Sequence, residues 1–295
     1  MNYIKLNDFS LKYHNSLRVE AIAKILVYPL NNIGVKEIYQ RYSNRRIIIL
    51  GNGSNILLSK NYYDDNYVFL SFKLMDKIDY FDYEIQAEAG ATLSKLSWFA
   101  LEQNIKGYEF LEDVPGSIGG AIIMNAGTYE DNIGQLVKGI TYYNIDKEEI
   151  IYDSVNPNDF GKRKSKWTDS NNIILSVDLH VSKEQIVENY VEILEELLLI
   201  KKRRYLKQPR NYPNAGSVFK RPSLKGEDVY IWKLFDELDL RGYQKNGAKI
   251  SEKHPGFIVN VDNAKPEDIL YLINIAKEKV KVKYGINLEL EWKVI

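Results

Sequence analysis

A serine that follows a glycine is the first residue of this chain whose type and setting suggest chemistry. Ser217 lies in the stretch P-N-A-G-S-V-F-K-R-P, residues 213–222. A serine in this setting suggests a nucleophile, and a serine nucleophile needs a neighbouring base to activate it. The three histidines of the chain, His14, His180 and His254, all lie far from Ser217 in the sequence. The stretch itself therefore leaves the role of Ser217 open.

The residue types that bind transition metals are scarce. The chain has no cysteine and three histidines, and no two histidines are spaced as i and i+4 on one helix face. We therefore expect no metal site, no disulfide, no iron–sulfur cluster and no cysteine nucleophile. The histidines are interpreted as structural or surface residues.

Length and charge limit the possible partners. The 295 residues are enough for two domains, and the 40 basic and 40 acidic side chains balance, so nothing indicates a nucleic-acid partner. The sequence begins without the pattern of a signal peptide, and no apolar stretch reaches the roughly 18 residues that a membrane span needs. We expect a soluble, cytoplasmic protein without membrane insertion.

A first glycine-rich segment, L-G-N-G-S-N-I-L-L-S, covers residues 50–59. Gly51 and Gly53 after an apolar run resemble the opening of a dinucleotide fingerprint, but Ile56 stands where the third glycine would be and no amphipathic helix follows. Closely spaced glycines can still turn successive N–H groups toward one anion. An anion-binding nest and an ordinary glycine turn both remain possible.

A second glycine-rich segment, L-E-D-V-P-G-S-I-G-G-A-I-I-M-N-A-G-T-Y, covers residues 111–129. It is apolar as well as glycine-rich, and flexible linkers are polar. Its small residues predict a close approach, by another element of the protein or by a ligand, and we favour a ligand. Asn125 adds a side-chain amide.

Together these segments resemble the flavin-binding segments of the UDP-N-acetylenolpyruvoylglucosamine reductase family. The serine stretch resembles the catalytic motif of that family. The stretch N-G-A-K-I-S-E-K-H-P-G-F-I-V-N, residues 246–260, and the tail G-I-N-L-E-L-E-W-K-V-I, residues 285–295, are similar to two further characteristic stretches. The resemblance covers nearly the whole chain in the expected order.

The resemblance implies an α+β protein with two domains. Residues 1–182 would form an FAD-binding domain of the vanillyl-alcohol oxidase (PCMH) type with two subdomains, and residues 183–295 a smaller α+β substrate-binding domain. It implies non-covalent FAD, NADPH as co-substrate, and reduction of the enolpyruvyl group of a UDP-sugar to give UDP-N-acetylmuramate for peptidoglycan synthesis. The modest length resembles the shorter type of the family, which lacks an extra substrate-covering loop, and we expect a monomer.

Three catalytic residues are implied by the resemblance. Ser217 matches the proton donor of the family, and Arg163 matches an arginine that holds the substrate carboxylate and the developing enolate. Glu291 matches the catalytic glutamate and is preferred over Glu289. Lys162 stands where the family commonly has tyrosine, so a solvated basic loop around Arg163 remains an alternative.

The binding residues implied for FAD lie in both glycine-rich segments. They are Gly51, Asn52, Gly53, Ser54, Asn55, Pro115, Gly116, Ser117, Gly119, Gly120, Asn125, Ala126 and Gly127. The cations Lys207, Lys220 and Arg221 flank Ser217 and are candidates for the pyrophosphate of the substrate. Two alternatives stay open, namely another flavin oxidoreductase of the same fold and a sugar-nucleotide binding protein without catalysis.

Hydrophobic patterns predict the elements that position these residues. The N-terminal part indicates strands at 45–50, 67–72, 84–89, 139–152 and 173–181, a helix at 92–106 stopped by Gly107, and a polar loop at 156–172, without a βαβ rhythm. After a boundary near Lys183 the pattern indicates helices at 188–200, 229–238 and 266–284, and strands at 257–261 and 286–295.

Overall fold

A computed structural model describes residues 1–127, 131–224 and 227–295. Thr128 and Tyr129, the end of the second glycine-rich segment, lie outside the described residues. The α-helices are α1 (Asn32–Arg41), α2 (Leu93–Glu102), α3 (Ile118–Met124), α4 (Val191–Lys207), α5 (Ile231–Asp236) and α6 (Pro266–Tyr284).

The strands are short and numerous. They are β1 (Tyr3–Ser10), β2 (Ile22–Pro29), β3 (Arg46–Leu50), β4 (Ile56–Leu57), β5 (Tyr62–Tyr63), β6 (Tyr67–Ser71), β7 (Ile78–Phe81), β8 (Glu84–Glu88), β9 (Val137–Asn144), β10 (Glu149–Ser154), β11 (Phe160–Gly161), β12 (Lys164–Ser165), β13 (Asn172–His180), β14 (Asn214–Ser217), β15 (Ser223–Leu224), β16 (Glu227–Asp228), β17 (Gln244–Lys245), β18 (Ala248–Ile250), β19 (Phe257–Asn260) and β20 (Lys293–Val294).

The chain forms two compact units that are interleaved in sequence. Unit 1 contains Met1–Asn7, Ile25–Asn52 and Asp65–Arg203, and unit 2 contains Asp8–Lys24, Gly53–Asp64 and Arg204–Ile295. Two early segments belong to unit 2 because they bond to its C-terminal part: β4 pairs with β20, and the side-chain amide of Asn260 donates to the carbonyl oxygen of Leu17 at 2.8 Å. A single boundary near residue 183 does not separate these two units, because each unit contains three segments of the chain. The functional division into 1–182 and 183–295 stays a prediction.

One sheet has the order β1-β2-β6-β3, with β5 beside β2. Strands β2 and β3 both run parallel to β6, and α1 connects them. The segment β2–α1–β3 is therefore one βαβ unit, which the sequence did not predict, although the N-terminal part as a whole does not repeat it. Helix α1 contains an interior glycine, Gly34, and buries only that residue, Val35 and Ile38. These apolar residues are too few to indicate a helix from the sequence.

The second sheet of unit 1 is antiparallel, with the order β10-β9-β13-β8-β7. The strands predicted at 84–89 and 173–181 are confirmed as β8 and β13. The single strand predicted at 139–152 is instead a hairpin of β9 and β10, because Glu148 takes a left-handed φ of 53° between them.

Helix α2 begins where it was predicted but ends early. The hydroxyl of Thr92 accepts from the amide of Lys95 and caps its start. The helix ends at Glu102 because Asn104 has a φ of 58°, so Gly107 is not the residue that stops it. The loop predicted at 156–172 contains the hairpin β11–β12.

Unit 2 is built on the sheet β14-β19-β18-β17, and α6 packs on this sheet with buried Ile269, Leu272 and Ile273. Helix α6 begins at Pro266 and ends at Tyr284, and Gly285, which has a φ of 70°, stops it as predicted. The continuous strand predicted at 286–295 is wrong, because the tail bends and only β20 pairs as a strand. Helix α4 begins and ends later than the predicted 188–200.

Candidate active site

The two glycine-rich segments meet in unit 1. Gly51 follows β3 and Ser117 precedes α3, and a Cβ atom on Gly51 would lie only 2.3 Å from Oγ of Ser117. The carbonyl oxygen of Gly116 accepts from the amide of Leu93 at 3.2 Å, which ties the second segment to α2. Glycine at position 51 therefore permits contact between two segments that lie about 65 residues apart in the sequence.

The neighbouring glycines of α3 have different surroundings. Gly119 donates its N–H to the carbonyl oxygen of Ala89 at 2.9 Å, and a Cβ there would lie 3.1 Å from that of Ala89. Gly120 is exposed, and a Cβ there would have only the Ser117 hydroxyl, at 3.6 Å, among the described atoms within 4 Å. Gly119 thus allows close packing of α3 against Ala89, while the main chain at Gly120 is exposed and open.

This open main chain suits a flavin. Pro115, like Gly120, is exposed, whereas Ser117 is buried between them. A flat ring or a phosphate can approach such a surface without meeting a side chain. The residues present therefore fit FAD, although the packing at Gly51 and Gly119 shows that part of the glycine content serves the fold.

Asn125 connects the second segment with the region of Arg163. It ends α3 in a left-handed conformation, with a φ of 44°. Its side-chain amide donates to the carbonyl oxygen of Gly161 at 3.0 Å, and its side-chain oxygen accepts from the amide of Gly134 at 3.1 Å. Both groups of this buried side chain are used within the protein, which indicates a supporting role in the site.

Arg163 lies at the tip of the β11–β12 hairpin. Gly161 pairs with Lys164, so Lys162 and Arg163 form the turn between the strands. Arg163 has a φ of 58°, a conformation that favours glycine, and its guanidinium donates to the carbonyl oxygen of Gly127 at 3.5 Å. Positive φ angles also occur at other turns of the chain, such as Glu148, so this conformation alone does not decide between a catalytic Arg163 and a solvated loop.

In unit 2 the end of the first segment is anchored. Gly53 has a φ of 63°, and a Cβ there would lie 2.1 Å from the carbonyl oxygen of His14. The side-chain amide of Asn55 donates to the carbonyl oxygen of Glu291 at 3.0 Å. The remaining residues predicted to bind FAD are half-buried: Asn52, Ser54 and Ala126.

Ser217 and Glu291 lie on neighbouring segments of unit 2. Ser217 is exposed at the end of β14, and the preceding Gly216 has a φ of 76°. The amide of Glu291 donates to the carbonyl oxygen of Val218 at 2.9 Å, and Phe219 forms an antiparallel bridge with Leu290. The structure thus brings together two residues that are about 75 positions apart in the sequence.

The three predicted substrate cations have different neighbours. Lys220 forms an exposed salt bridge with Glu289 at 3.1 Å, and the Arg221 guanidinium lies 4.4 Å from the centre of the Tyr230 ring. Lys207 is exposed at the last residue of α4. Glu289 pairs with Lys220, and Glu291 stays the predicted catalytic carboxylate of the tail.

A cavity of about 390 Å³ in unit 2 was not predicted as part of the site. Its lining comes from the loop before β14 and from residues around β18, and includes Tyr205, Arg210, Tyr212, Lys249, Glu252 and Lys253. Lys249 donates to Glu252 at 2.6 Å, and this hydrogen bond lowers the pKa of the Glu252 carboxyl. The sequence does show these basic residues in the stretch 246–260, but not that they line one cavity with residues 205–212.

Metal-binding clusters and membrane-spanning helices are both absent from the part of the chain that the structure describes. No group of His, Asp and Glu side chains in residues 1–127, 131–224 and 227–295 could hold a metal ion. Within the same ranges, no helix has the length and hydrophobicity required to cross a lipid bilayer.

Comparison with known proteins defines the class first. An FAD binding domain model matches residues 23–149, and the model of the C-terminal domain of UDP-N-acetylenolpyruvoylglucosamine reductase matches residues 208–295. With the α+β fold described above, these matches define an FAD-containing oxidoreductase.

Relatives then define the family. The UDP-N-acetylenolpyruvoylglucosamine reductase of Clostridioides difficile is 37% identical over 98% of this chain and 92% of its own length. The enzyme of that name from Thermotoga maritima is 35% identical over 96% of each chain. The crystal structure of the Thermus caldophilus reductase superposes with a TM-score of 0.77, at 27% identity over 100% of this chain and 99% of its own. The chain belongs to the UDP-N-acetylenolpyruvoylglucosamine reductase family.

Proposed function

We propose that this protein reduces the enolpyruvyl group of UDP-N-acetylenolpyruvoylglucosamine to give UDP-N-acetylmuramate, a step of peptidoglycan synthesis, with NADPH as the reductant. FAD, when bound, supplies the hydride chemistry, because it can accept a hydride from NADPH and donate one to a double bond. Besides the family itself, the observation that carries the proposal is the position of Glu291 beside the strand of Ser217.

The reaction of the substrate determines which groups the protein must provide. Hydride addition to an enolpyruvyl ether leaves negative charge on the carbon next to a carboxylate. This carbanion, or its enolate form, needs a nearby cation or donor and then a proton on carbon. Arg163, Ser217 and Glu291 are proposed to meet these needs.

Ser217 is proposed as the proton donor. A hydroxyl is a weak acid, but the acceptor is a strongly basic carbanion, so no histidine is needed. The exposed hydroxyl has no hydrogen-bond partner within the part of the chain that the structure describes, which leaves it available to a substrate. The open surface at Gly216 supports the same role, since a substrate can approach the main chain there.

Glu291 is proposed to orient the enolpyruvyl group or a water molecule beside Ser217. Its main chain is fixed on both sides, by Asn55 at its carbonyl oxygen and by Val218 at its amide. Arg163 is proposed to hold the substrate carboxylate with two parallel hydrogen bonds, which a planar guanidinium can form and a lysine ammonium cannot.

Binding of the nucleotide part is proposed for the cations of unit 2. Lys207, Lys220 and Arg221 flank Ser217 in sequence and are exposed, so each can meet a pyrophosphate. The proposal assigns FAD binding to residues 1–182 and substrate binding to residues 183–295. It also places the enzyme in the cytoplasm as a monomer, since its nucleotide substrates are cytoplasmic metabolites and one chain carries all three proposed catalytic residues.

The proposal is tested on the purified protein. We expect a yellow protein with the absorbance of bound flavin that consumes NADPH over many turnovers only when the enolpyruvyl sugar nucleotide is present to reoxidise the flavin. A protein that binds FAD but oxidises NADPH with simple alcohols or sugars instead would be another flavin oxidoreductase. Binding of the sugar nucleotide without any NADPH oxidation would indicate a protein that has lost catalysis.

A further inference from the structure

Two side chains of unit 2 hold the last residue of the sequence. The hydroxyl of Tyr63 donates to the main-chain oxygen of Ile295 at 2.7 Å. The hydroxyl and the amide of Ser59 donate to the same oxygen at 2.5 Å and 2.9 Å. Tyr63 is 1% exposed, so this oxygen is held by a buried group rather than by a surface side chain.

A short parallel pairing of β20 with β4 connects the held residue Ile295 with the chain near Glu291. Lys293 pairs with Ile56 and Val294 pairs with Leu57. The amide of Lys293 donates to the carbonyl oxygen of Asn55 at 3.0 Å, and the amide of Ile295 donates to that of Leu57 at 2.9 Å. The ladder fixes the register of the tail, because a slip of one residue would break the ladder and the bonds to Ile295 together.

The chain between the ladder and the serine strand has little freedom. The carbonyl oxygen of Glu291 accepts from the Asn55 side chain at 3.0 Å, and its amide donates to the carbonyl oxygen of Val218 at 2.9 Å. Trp292 is 4% exposed and belongs to the hydrophobic core of unit 2. Glu291 therefore lies between two fixed points, and the point on its C-terminal side depends on Ser59 and Tyr63.

We propose that Ser59 and Tyr63 are positioning residues that place the carboxylate of Glu291 for the chemistry at Ser217. The inference rests on the proposed function, in which Glu291 is catalytic. The two hydroxyls donate to the main-chain oxygen of Ile295, and they act by holding the end of the tail segment that carries Glu291. Displacement of a catalytic group by about 1 Å can cost on the order of a hundredfold in rate, so loss of this anchor is expected to slow the reaction.

The test uses the FAD-containing double variant Ser59→Ala/Tyr63→Phe, which removes both side-chain bonds to Ile295 and changes no charge. Oxidation of the reduced flavin by the enolpyruvyl substrate and reduction of the flavin by NADPH are followed separately by absorbance in stopped flow. We expect the substrate half-reaction to slow about tenfold or more while the NADPH half-reaction and the FAD content stay within about twofold. The matched control is Tyr62→Phe, a neighbouring exposed tyrosine, which should leave both rates unchanged.

Two further variants keep the outcome interpretable. Ser59→Thr keeps a hydroxyl and should restore most of the rate that Ser59→Ala loses. If the double variant does not fold, the single variant Tyr63→Phe, which keeps the Ser59 bonds to Ile295, is expected to show a smaller loss confined to the substrate half-reaction. Equal loss of both half-reactions, or loss of FAD, would overturn the inference, because that result indicates general damage to the fold.

Glu291→Gln separates failure of this inference from failure of the proposed function. If Glu291→Gln leaves the substrate half-reaction unchanged, the proposed role of Glu291 is wrong. If Glu291→Gln slows that half-reaction but the Ser59 and Tyr63 variants behave like Tyr62→Phe, only the positioning role is overturned.

Discussion

The amide of Glu291 donates to the carbonyl oxygen of Val218 at 2.9 Å, one residue after Ser217. This bond places a carboxylate on the segment next to the serine without a histidine between them. On the same pair of segments the Lys220 amide donates to the carbonyl oxygen of Glu289 at 2.9 Å, so the tail lies along the residues that follow the serine.

Ser217→Ala should separate the two half-reactions. Flavin reduction by NADPH should stay within about twofold, because it needs no proton donor on the substrate side. Turnover of the enolpyruvyl substrate should fall by a factor of about 100 or more, the size of a typical general-acid contribution. Stopped-flow absorbance measures both steps, with the exposed Ser223→Ala as control. An equal fall in both half-reactions would show that Ser217 is not the proton donor.

Arg163→Gly should raise stability while it lowers activity. Arg163 has a φ of 58°, which costs a non-glycine residue on the order of 1 kcal/mol, and glycine adopts this conformation without strain. We expect the free energy of unfolding to rise by up to about 1 kcal/mol and kcat/KM for the enolpyruvyl substrate to fall by about 100-fold or more. Urea unfolding and steady-state kinetics measure the two effects. Lys162→Gly, at the adjacent turn residue, should not stabilise the protein, and gain of stability with unchanged activity at position 163 would support the solvated-loop alternative.

The sequence predicted the elements that have long or regular hydrophobic patterns. Helix α6, with a proline at its start and Gly285 at its end, was predicted at its observed bounds. The sequence does not indicate helix α1, because this helix buries few residues. It predicts one strand over the hairpin of β9 and β10, because the turn of the hairpin contains no glycine or proline.

The residues of the candidate site were found by their motifs, but their contacts were not predictable. Gly51 and Ser117 meet because the end of β3 and the beginning of α3 lie at the same place in unit 1, and no local sequence pattern predicts such a long-range contact. The side chain of Asn125, predicted for the cofactor, bonds to Gly161 of the Arg163 hairpin and to Gly134, and its role at the cofactor stays a prediction. The tail was predicted as one strand, whereas its bend at Glu291 depends on pairing with β4.

Loss of Lys201 should destabilise unit 1 through Glu112. Glu112 is 1% exposed and accepts hydrogen bonds from Ser94 at 2.5 Å, Trp98 at 3.0 Å and Lys201 at 3.1 Å. Without Lys201 a buried carboxylate loses its counter-ion, so Lys201→Met should lower the free energy of unfolding by about 1–3 kcal/mol.

The control for this pair is Lys202→Met, since Lys202 is exposed on the same helix. Glu112→Gln combined with Lys201→Met should recover part of the loss, because the amide carries no charge to compensate. Denaturant unfolding followed by tryptophan fluorescence measures all three variants. A loss for Lys201→Met no larger than that for Lys202→Met would show that the ion pair contributes nothing.

His254 should make the stability of the protein fall as the pH is lowered. Burial is the main cause that holds the pKa of His254 below its ordinary value of 6.5, and its Nδ1 accepts from the amide of Gly256 at 3.2 Å, which requires the unprotonated nitrogen. Because the unfolded state binds the proton more readily than the folded state, the contribution is fully present above the unfolded pKa. It is lost progressively as the pH falls below 6.5 toward the folded pKa.

The measurement compares the free energy of unfolding at about pH 7.5 and at about pH 5.5 for the parent protein and for His254→Asn. Asparagine can accept the Gly256 bond but does not titrate in this range, so the variant should lose less stability on acidification. His180→Asn is the matched control, because His180 is exposed at the end of β13. Since Phe257 packs on the His254 ring and pairs with Ser217, acidification should also slow the substrate half-reaction more in the parent protein than in His254→Asn. Equal acid sensitivity in the parent protein and His254→Asn would place the titrating group elsewhere.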